Sequence, residues 1–205
     1  MTYEAIRCLA SRDDAEALDE LGTLTVAGDE FLRQTAVEVI GKHPRGRELR
    51  QRVLAALRDP SEYVKRTACD VVAQWKWAEA HQLVLILVKE PVASTRESAL
   101  RALAAIWADS DFALVFSVYR HDPETGVRRE AAWTLRQCVG AENWHQVFDA
   151  LRQDGLPRHR VWACEIAETF GGPDVLPALL SLMNDDDGHV RKSAARTHQT
   201  IRARD

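Results

Sequence analysis

DPETGVRREAAWTL, residues 122–135, places a turn acid and proline ahead of a basic residue six positions after the acid, with an alanine three positions further on. Residues 59–72 (DPSEYVKRTACDVV) and 90–103 (EPVASTRESALRAL) repeat that arrangement. Outward from these stretches, Ala36, Ala68, Ala99, Ala131, Ala163 and Ala194 recur every 31 or 32 residues. Each follows a base by three positions: Arg33, Lys65, Arg96, Arg128, Arg160 and Arg191. Five of those bases follow an acid by six: Asp59, Glu90, Asp122, Asp154 and Asp185. A fixed period of this length predicts an array in which one supersecondary unit is stacked repeatedly.

Around each alanine the pattern is helical. Leu32/Ala36/Ile40, Val64/Ala68/Val72 and Val127/Ala131/Leu135 lie four residues apart and therefore on one face. A second apolar run precedes each acid, as in Leu83/Val84/Leu87/Val88 and Leu179/Leu182/Met183, so each unit reads as an antiparallel helix pair. Asp59-Pro60, Glu90-Pro91, Asp122-Pro123, Asp154-Gly155 and Asp185-Asp186 mark the turns between the helices, because proline cannot continue a helical ladder and aspartate suits turns. Helices of about 10 to 15 residues follow from the spacing. A pair this thin cannot bury its own apolar faces and depends on its neighbours.

Composition agrees. The 205 residues are 46% hydrophobic and 28% charged, with a net charge of −4, which offers no global attraction to nucleic acid or anionic lipid. Cys8, Cys69, Cys138 and Cys164 form no CxxC pair and read as core fillers in a reducing compartment. The first ten residues have no signal-peptide core, and the longest uninterrupted apolar run considered, Leu83–Val88, is far short of the roughly 20 residues that span a bilayer, so cytoplasmic residence is expected.

The alanine-anchored second helix, the Asp-Pro turn and the acid followed six positions later by arginine resemble the HEAT repeat, particularly the short form of bilin-lyase-like proteins. The resemblance implies an all-α solenoid of about six antiparallel helix pairs in a right-handed superhelix. Its repeats would be 12–43, 44–75, 76–108, 109–139, 140–170 and 171–205, with 1–11 as a capping helix, in a single domain. It also implies a ladder between neighbouring repeats, with Asp59, Glu90, Asp122, Asp154 and Asp185 as acceptors and Lys65, Arg96, Arg128, Arg160 and Arg191 as donors. The first repeat has Ala27 where the acid belongs, and Lys65 is a poorer forked donor than arginine, so a looser ladder is expected at the N-terminal end.

Positions two before and two after each alanine lie about 160° from the packed face and are expected to line a concave surface. That stripe reads Gln34/Glu38, Arg66/Asp70, Glu97/Arg101, Arg129/Trp133, Val161/Glu165 and Lys192/Arg196. Aromatic and arginine side chains dominate binding energy at interfaces, which makes Arg129, Trp133, Arg136, Trp162, Arg66 and Arg101 the partner-binding candidates. The basic run Lys42, Arg45, Arg47, Arg50 and Arg52 reads first as a solvated face. Asp185-Asp186-Asp187 with His189 reads as a capping loop before it reads as a metal site.

No phosphate loop, GxSxG, HExxH or calcium loop is present, and neither a catalytic residue, a metal site nor a cofactor is assigned. A monomeric, non-enzymatic scaffold that grips a protein partner, immunity-like or adaptor-like, is the leading reading. A DNA-binding protein of the HEAT-like alkylation-repair glycosylase type and a bilin-lyase-like chromophore enzyme or chaperone are the alternatives. Net charge and the mixed-sign stripe disfavour nucleic acid, and no membrane association is expected.

Overall fold

A computed structural model describes residues 2–204. Among these residues the regular structure is helical throughout, with thirteen α-helices. They are α1 (Tyr3–Cys8), α2 (Ala15–Leu24), α3 (Glu30–Lys42), α4 (Arg50–Ala56), α5 (Glu62–Trp75), α6 (His81–Leu87) and α7 (Ala93–Ala105). The series continues with α8 (Phe112–His121), α9 (Thr125–Cys138), α10 (Trp144–Leu151), α11 (Pro157–Phe170), α12 (Leu176–Leu182) and α13 (Gly188–Arg202).

Every anchoring alanine sits on an odd-numbered helix of 13 to 15 residues. The six helices that precede them have 7 to 10 residues, so α2 and α8 reach the lower end of the expected range and the other four fall short of it. Tight 3-10 turns explain the difference: Gly46–Leu49, Ala78–Ala80, Asp109–Asp111 and Pro173–Val175 lead into four of the six and consume residues that would otherwise extend the helix. Gly46 is required in the first of these turns, since a Cβ there would fall 1.8 Å from the Ile40 carbonyl oxygen.

The chain divides into two compact units. One runs to Trp107 and includes Asp122–Glu130; the other comprises Ala108–His121 and the chain from Ala131 onward, so α9 begins in the first and ends in the second. In the first unit α3, α5 and α7 lie side by side, α1 packs on α3, and α2, α4 and α6 back the row. Ala36, Ala68 and Ala99 are fully buried, together with Ile40, Val64, Val72 and Leu103. The anchor methyl lets neighbouring helices close up, and a larger side chain there would overpack the seam at about 1–3 kcal/mol. In the second unit α11 packs on α13, with α10 on α11 and α12 on α13. Ala163, Ala194, Leu151, Leu179 and Ile201 form its interior, and Trp144 stacks on Phe170 with ring centres 6.3 Å apart.

The charged register locks the turns. Arg33 forks onto Asp59 with two bonds of 2.8 Å, Arg96 onto Asp122 at 2.8 and 2.9 Å, and Arg160 onto Asp185 at 2.7 and 2.8 Å. Each base thus reaches the acid of the following turn. The remaining nitrogen of each arginine donates backwards to two carbonyls of its own turn, five and six residues earlier: Arg96 to Glu90 and Pro91, Arg160 to Asp154 and Gly155, Arg191 to Asp185 and Asp186. Arg128 does the same with Asp122 and Pro123. The sixfold spacing in the sequence therefore records a bond to a backbone carbonyl.

This geometry corrects one expectation. The ladder is not loose at Arg33, because Ala27 needs to supply only its carbonyl, which accepts from Arg33 at 2.9 Å, while the carboxylate comes from Asp59. Asp29 serves instead as the N-cap of α3, accepting from the Phe31 and Leu32 amides. Lys65 is the weaker rung, a single 3.0 Å contact to Glu90 with more solvent around it than the arginine rungs have.

Candidate interaction surface

The acids in these rungs are committed to structure. Burial would raise the Asp59 carboxyl, but Arg33 and the Ser61 amide outweigh it and hold the group below its ordinary range. The Asp185 carboxyl is lowered by its hydrogen bonds from Arg160. The acid turns share one further feature: Ser61, Glu124, Leu156 and Asp187 each donate a backbone N–H to the aspartate two residues earlier. Asp187 caps α13 through the His189 and Val190 amides. Among the described residues no group of three or more His, Cys, Asp or Glu is arranged to hold a metal ion.

Asp154 carries a different set of partners. The Tyr119 hydroxyl donates to it at 2.6 Å and His159 Nδ1 lies 3.0 Å away. Burial opposes the charged form, yet His159, Tyr119 and the Leu156 amide together bring this carboxyl down to about 2. Burial and the same carboxylate push the Tyr119 hydroxyl upward. His159 is 2% exposed, between the edge of Tyr119 and the face of Trp162. The bond from Tyr119 to Asp154 joins residues 35 apart and has no local signature in the sequence.

The stripe opposite the anchors is accessible along both units. In the first, Arg66 is half-buried, Arg101 is exposed, and Arg129 is exposed near the point where α9 leaves this unit. Arg101 lies 3.8 Å from Asp70 on the preceding second helix and 3.5 Å from Glu130 on the following one. Burial pushes the Asp70 carboxyl up, with Arg101 and Arg66 opposing the shift.

In the second unit Trp133 is half-buried on α9, and Arg136, one turn on, is hydrogen-bonded to Glu165 of α11. Trp162 is not an exposed anchor. At 7% exposure it lies in the groove beside His159, with ring centres 5.1 Å apart, because its position immediately before Ala163 turns it toward neighbouring helices. The Arg136 and Arg158 guanidinium carbons lie 5.8 and 5.4 Å from its ring centre. Trp162 thus forms a floor under two cations.

Other candidates have structural employment. Within the basic run, Lys42 pairs with Glu38, Arg45 with Glu48, and Arg47 donates to the Trp75 carbonyl while lying 5.4 Å from the Trp75 ring centre. Cys69 and Cys164 are buried, and burial pushes their thiols up to about 12 and about 11; Cys8, by contrast, is exposed and is no core filler. Sequence reasoning missed three exposed rings, Tyr3, Phe31 and Tyr63, whose signal was present as aromatic residues outside the apolar face of their helices. No described helix is long and apolar enough to cross a membrane.

No protein of curated function matches the chain. Solved structures resemble it in fold. An archaeal HEAT-like repeats protein from Thermococcus onnurineus NA1 superposes with a TM-score of 0.59 at 13% identity, covering 99% of this chain and 98% of that one. The complex of CpcE and CpcF of phycocyanin lyase from Nostoc sp. PCC7120 gives 0.57 at 19% identity, covering 98% and 88%. A designed armadillo repeat protein gives 0.55 at 14% identity, covering 98% and 100%. At such identities the likeness concerns the fold, an all-α solenoid. HEAT repeats match residues 50–136 and 146–204, and with the anchored second helices and the rungs between turns this places the chain in the HEAT-repeat family.

Proposed function

We propose that the protein is a non-enzymatic scaffold that holds a protein partner on the exposed face of its second helices, with Arg129, Trp133 and Arg136 supplying the main contacts. The observation that carries this reading is Trp133, left partly exposed at a register position opposite the buried anchor Ala131. Trp162 supports the surface from below, and Arg136 is pre-positioned between Glu165 and that ring, so that little side-chain freedom is lost on binding. Arg66 and Arg101 are candidate contacts on the first unit, taken by itself. The partner is bound by a monomer in the cytoplasm, with neither cofactor nor metal.

The test is partner capture followed by substitution. A partner identified by mass spectrometry with the wild-type chain is expected to be lost with the Arg129→Ala/Trp133→Ala variant. Retention by the folded double variant removes the proposed surface. Salt-dependent binding of duplex DNA, or visible absorbance on mixing with a linear tetrapyrrole, would move the assignment to nucleic-acid or chromophore chemistry.

A further inference from the structure

The exposed rings of the first unit fall in a row that repeat packing does not require. Five positions before the anchors the register reads Phe31, Tyr63, Ser94, Gly126, Arg158 and His189. Six positions before, it reads Glu30, Glu62, Ala93, Thr125, Pro157 and Gly188. A ring beside a carboxylate therefore occurs in the first two repeats and in no other, while α1 adds a third case, Tyr3 beside Glu4. The later repeats build helices of equal length with serine or glycine in the same register, so neither helix formation nor stacking explains the rings.

These rings nevertheless face solvent, Tyr3 at 45%, Phe31 at 46% and Tyr63 at 40% exposure. Phe31 and Tyr63 touch, with centres 5.7 Å apart, and Tyr3 and Phe31 line one cleft of about 400 Å³ with Arg7, Gln34, Thr35 and Glu38. The row is continuous across α1, α3 and α5. Arg33 and Lys65, the bases that follow Glu30 and Glu62, direct their charge into the rungs with Asp59 and Glu90. Around the rings Glu4 and Glu38 line the clefts and Glu30 and Glu62 adjoin Phe31 and Tyr63, four acids against Arg7 in the cleft and Lys42, which is paired with Glu38. The surroundings of the rings are accordingly negative, and the complementary ligand is a cation.

We infer that Tyr3, Phe31 and Tyr63 form a docking surface for a basic, arginine- or lysine-bearing extended segment of a protein partner. Its cations seat on the ring faces and pair with Glu4, Glu30 and Glu62. A ring draws a cation through its quadrupole, and an adjacent carboxylate adds direction and charge. This proposal does not rest on Trp133.

The experiment is fluorescence anisotropy with a labelled peptide alternating arginine and serine, against the same peptide with citrulline in place of arginine, a neutral isostere. Wild-type protein is expected to bind the arginine peptide in a salt-dependent manner and to ignore the citrulline one. Phe31→Leu/Tyr63→Leu, which keeps apolar area but removes the rings, is expected to weaken binding about five- to thirty-fold, as two exposed cation–π contacts imply. Trp133→Ala is expected to leave it unchanged. Circular dichroism establishes that each variant is folded, and ring-proton NMR shifts locate the peptide independently of any substitution. Absence of binding, equal binding of the citrulline peptide, wild-type affinity in the double leucine variant, or shifts that bypass the three rings each overturn the inference. Because Trp133→Ala tests the other surface alone, the two surfaces fail separately.

Discussion

The turns at Asp122 and Asp154 occupy the same place in the repeat and solve the same problem with different partners. At Asp122 a forked guanidinium from Arg96 fills both carboxylate oxygens, and the pair is nearly dry, with side-chain exposures of 10% for Arg96 and 8% for Asp122. At Asp154 a phenol and an imidazole are the buried partners, drawn from α8 and α11. Both aspartates also take a backbone N–H two residues on. What the position demands, then, is a carboxylate whose lone pairs are satisfied; a second unit that can reach it with Tyr119 and His159 is stable for the same physical reason as one that uses arginine.

The comparison breaks most visibly at Arg96. Truncation by Arg96→Ala would leave Asp122 buried without its fork and is expected to cost about 3–5 kcal/mol in urea unfolding. The wetter rung supplies the contrast: Lys65→Ala is expected to cost about 1 kcal/mol or less. Equal losses at the two sites would mean that burial is not what separates them.

Next in size is the node at Asp154. Tyr119→Phe removes one donor to a charged acceptor and is expected to cost about 1.5–3 kcal/mol. The acid limb sharpens the point. A carboxyl held at about 2 in the folded chain, against its ordinary value near 4, contributes stability that is present above pH 4 and is lost as pH falls toward 2. Asp59 and Asp185 shift in the same direction, so their acid lability adds to it. In Asp154→Asn the slope of stability between about pH 4 and pH 2 is expected to flatten relative to wild type, measured by thermal unfolding at a series of pH values. An unchanged slope would remove Asp154 from the acid response.

The smallest effect is a gain. Lys65→Arg gives this rung the fork its neighbours have, and an increase of about 0.5 kcal/mol is expected in denaturant unfolding, since a planar bidentate pair loses less freedom per bond than an ammonium. A loss would show that the space around Glu90 is fitted to lysine.

Much of the fold was readable along the chain because its signals are local and periodic. Ala36 through Ala194 mark the seam, and the prolines after Asp59, Glu90 and Asp122 mark three of the turns, each legible within one repeat. The short first helices were not, because a 3-10 turn and an α-helix share the same apolar spacing over three or four residues. Trp162 was misjudged for a related reason. One residue of rotation decides whether a ring meets solvent or a neighbouring helix, and that depends on where the next helix lies.

A period of 31 or 32 residues, an alanine wherever helices must approach closely, and a base six residues after each turn acid were enough to specify a HEAT-type array, since each follows from contacts between adjacent units. Which acid each base reaches, why Ala27 does no harm, how Asp154 acquires Tyr119 and His159, and which rings stay wet came from the packed chain. Arg160 and Asp185 are 25 positions apart and Tyr119 and Asp154 are 35 apart, and folding alone brings such distant groups within hydrogen-bonding range.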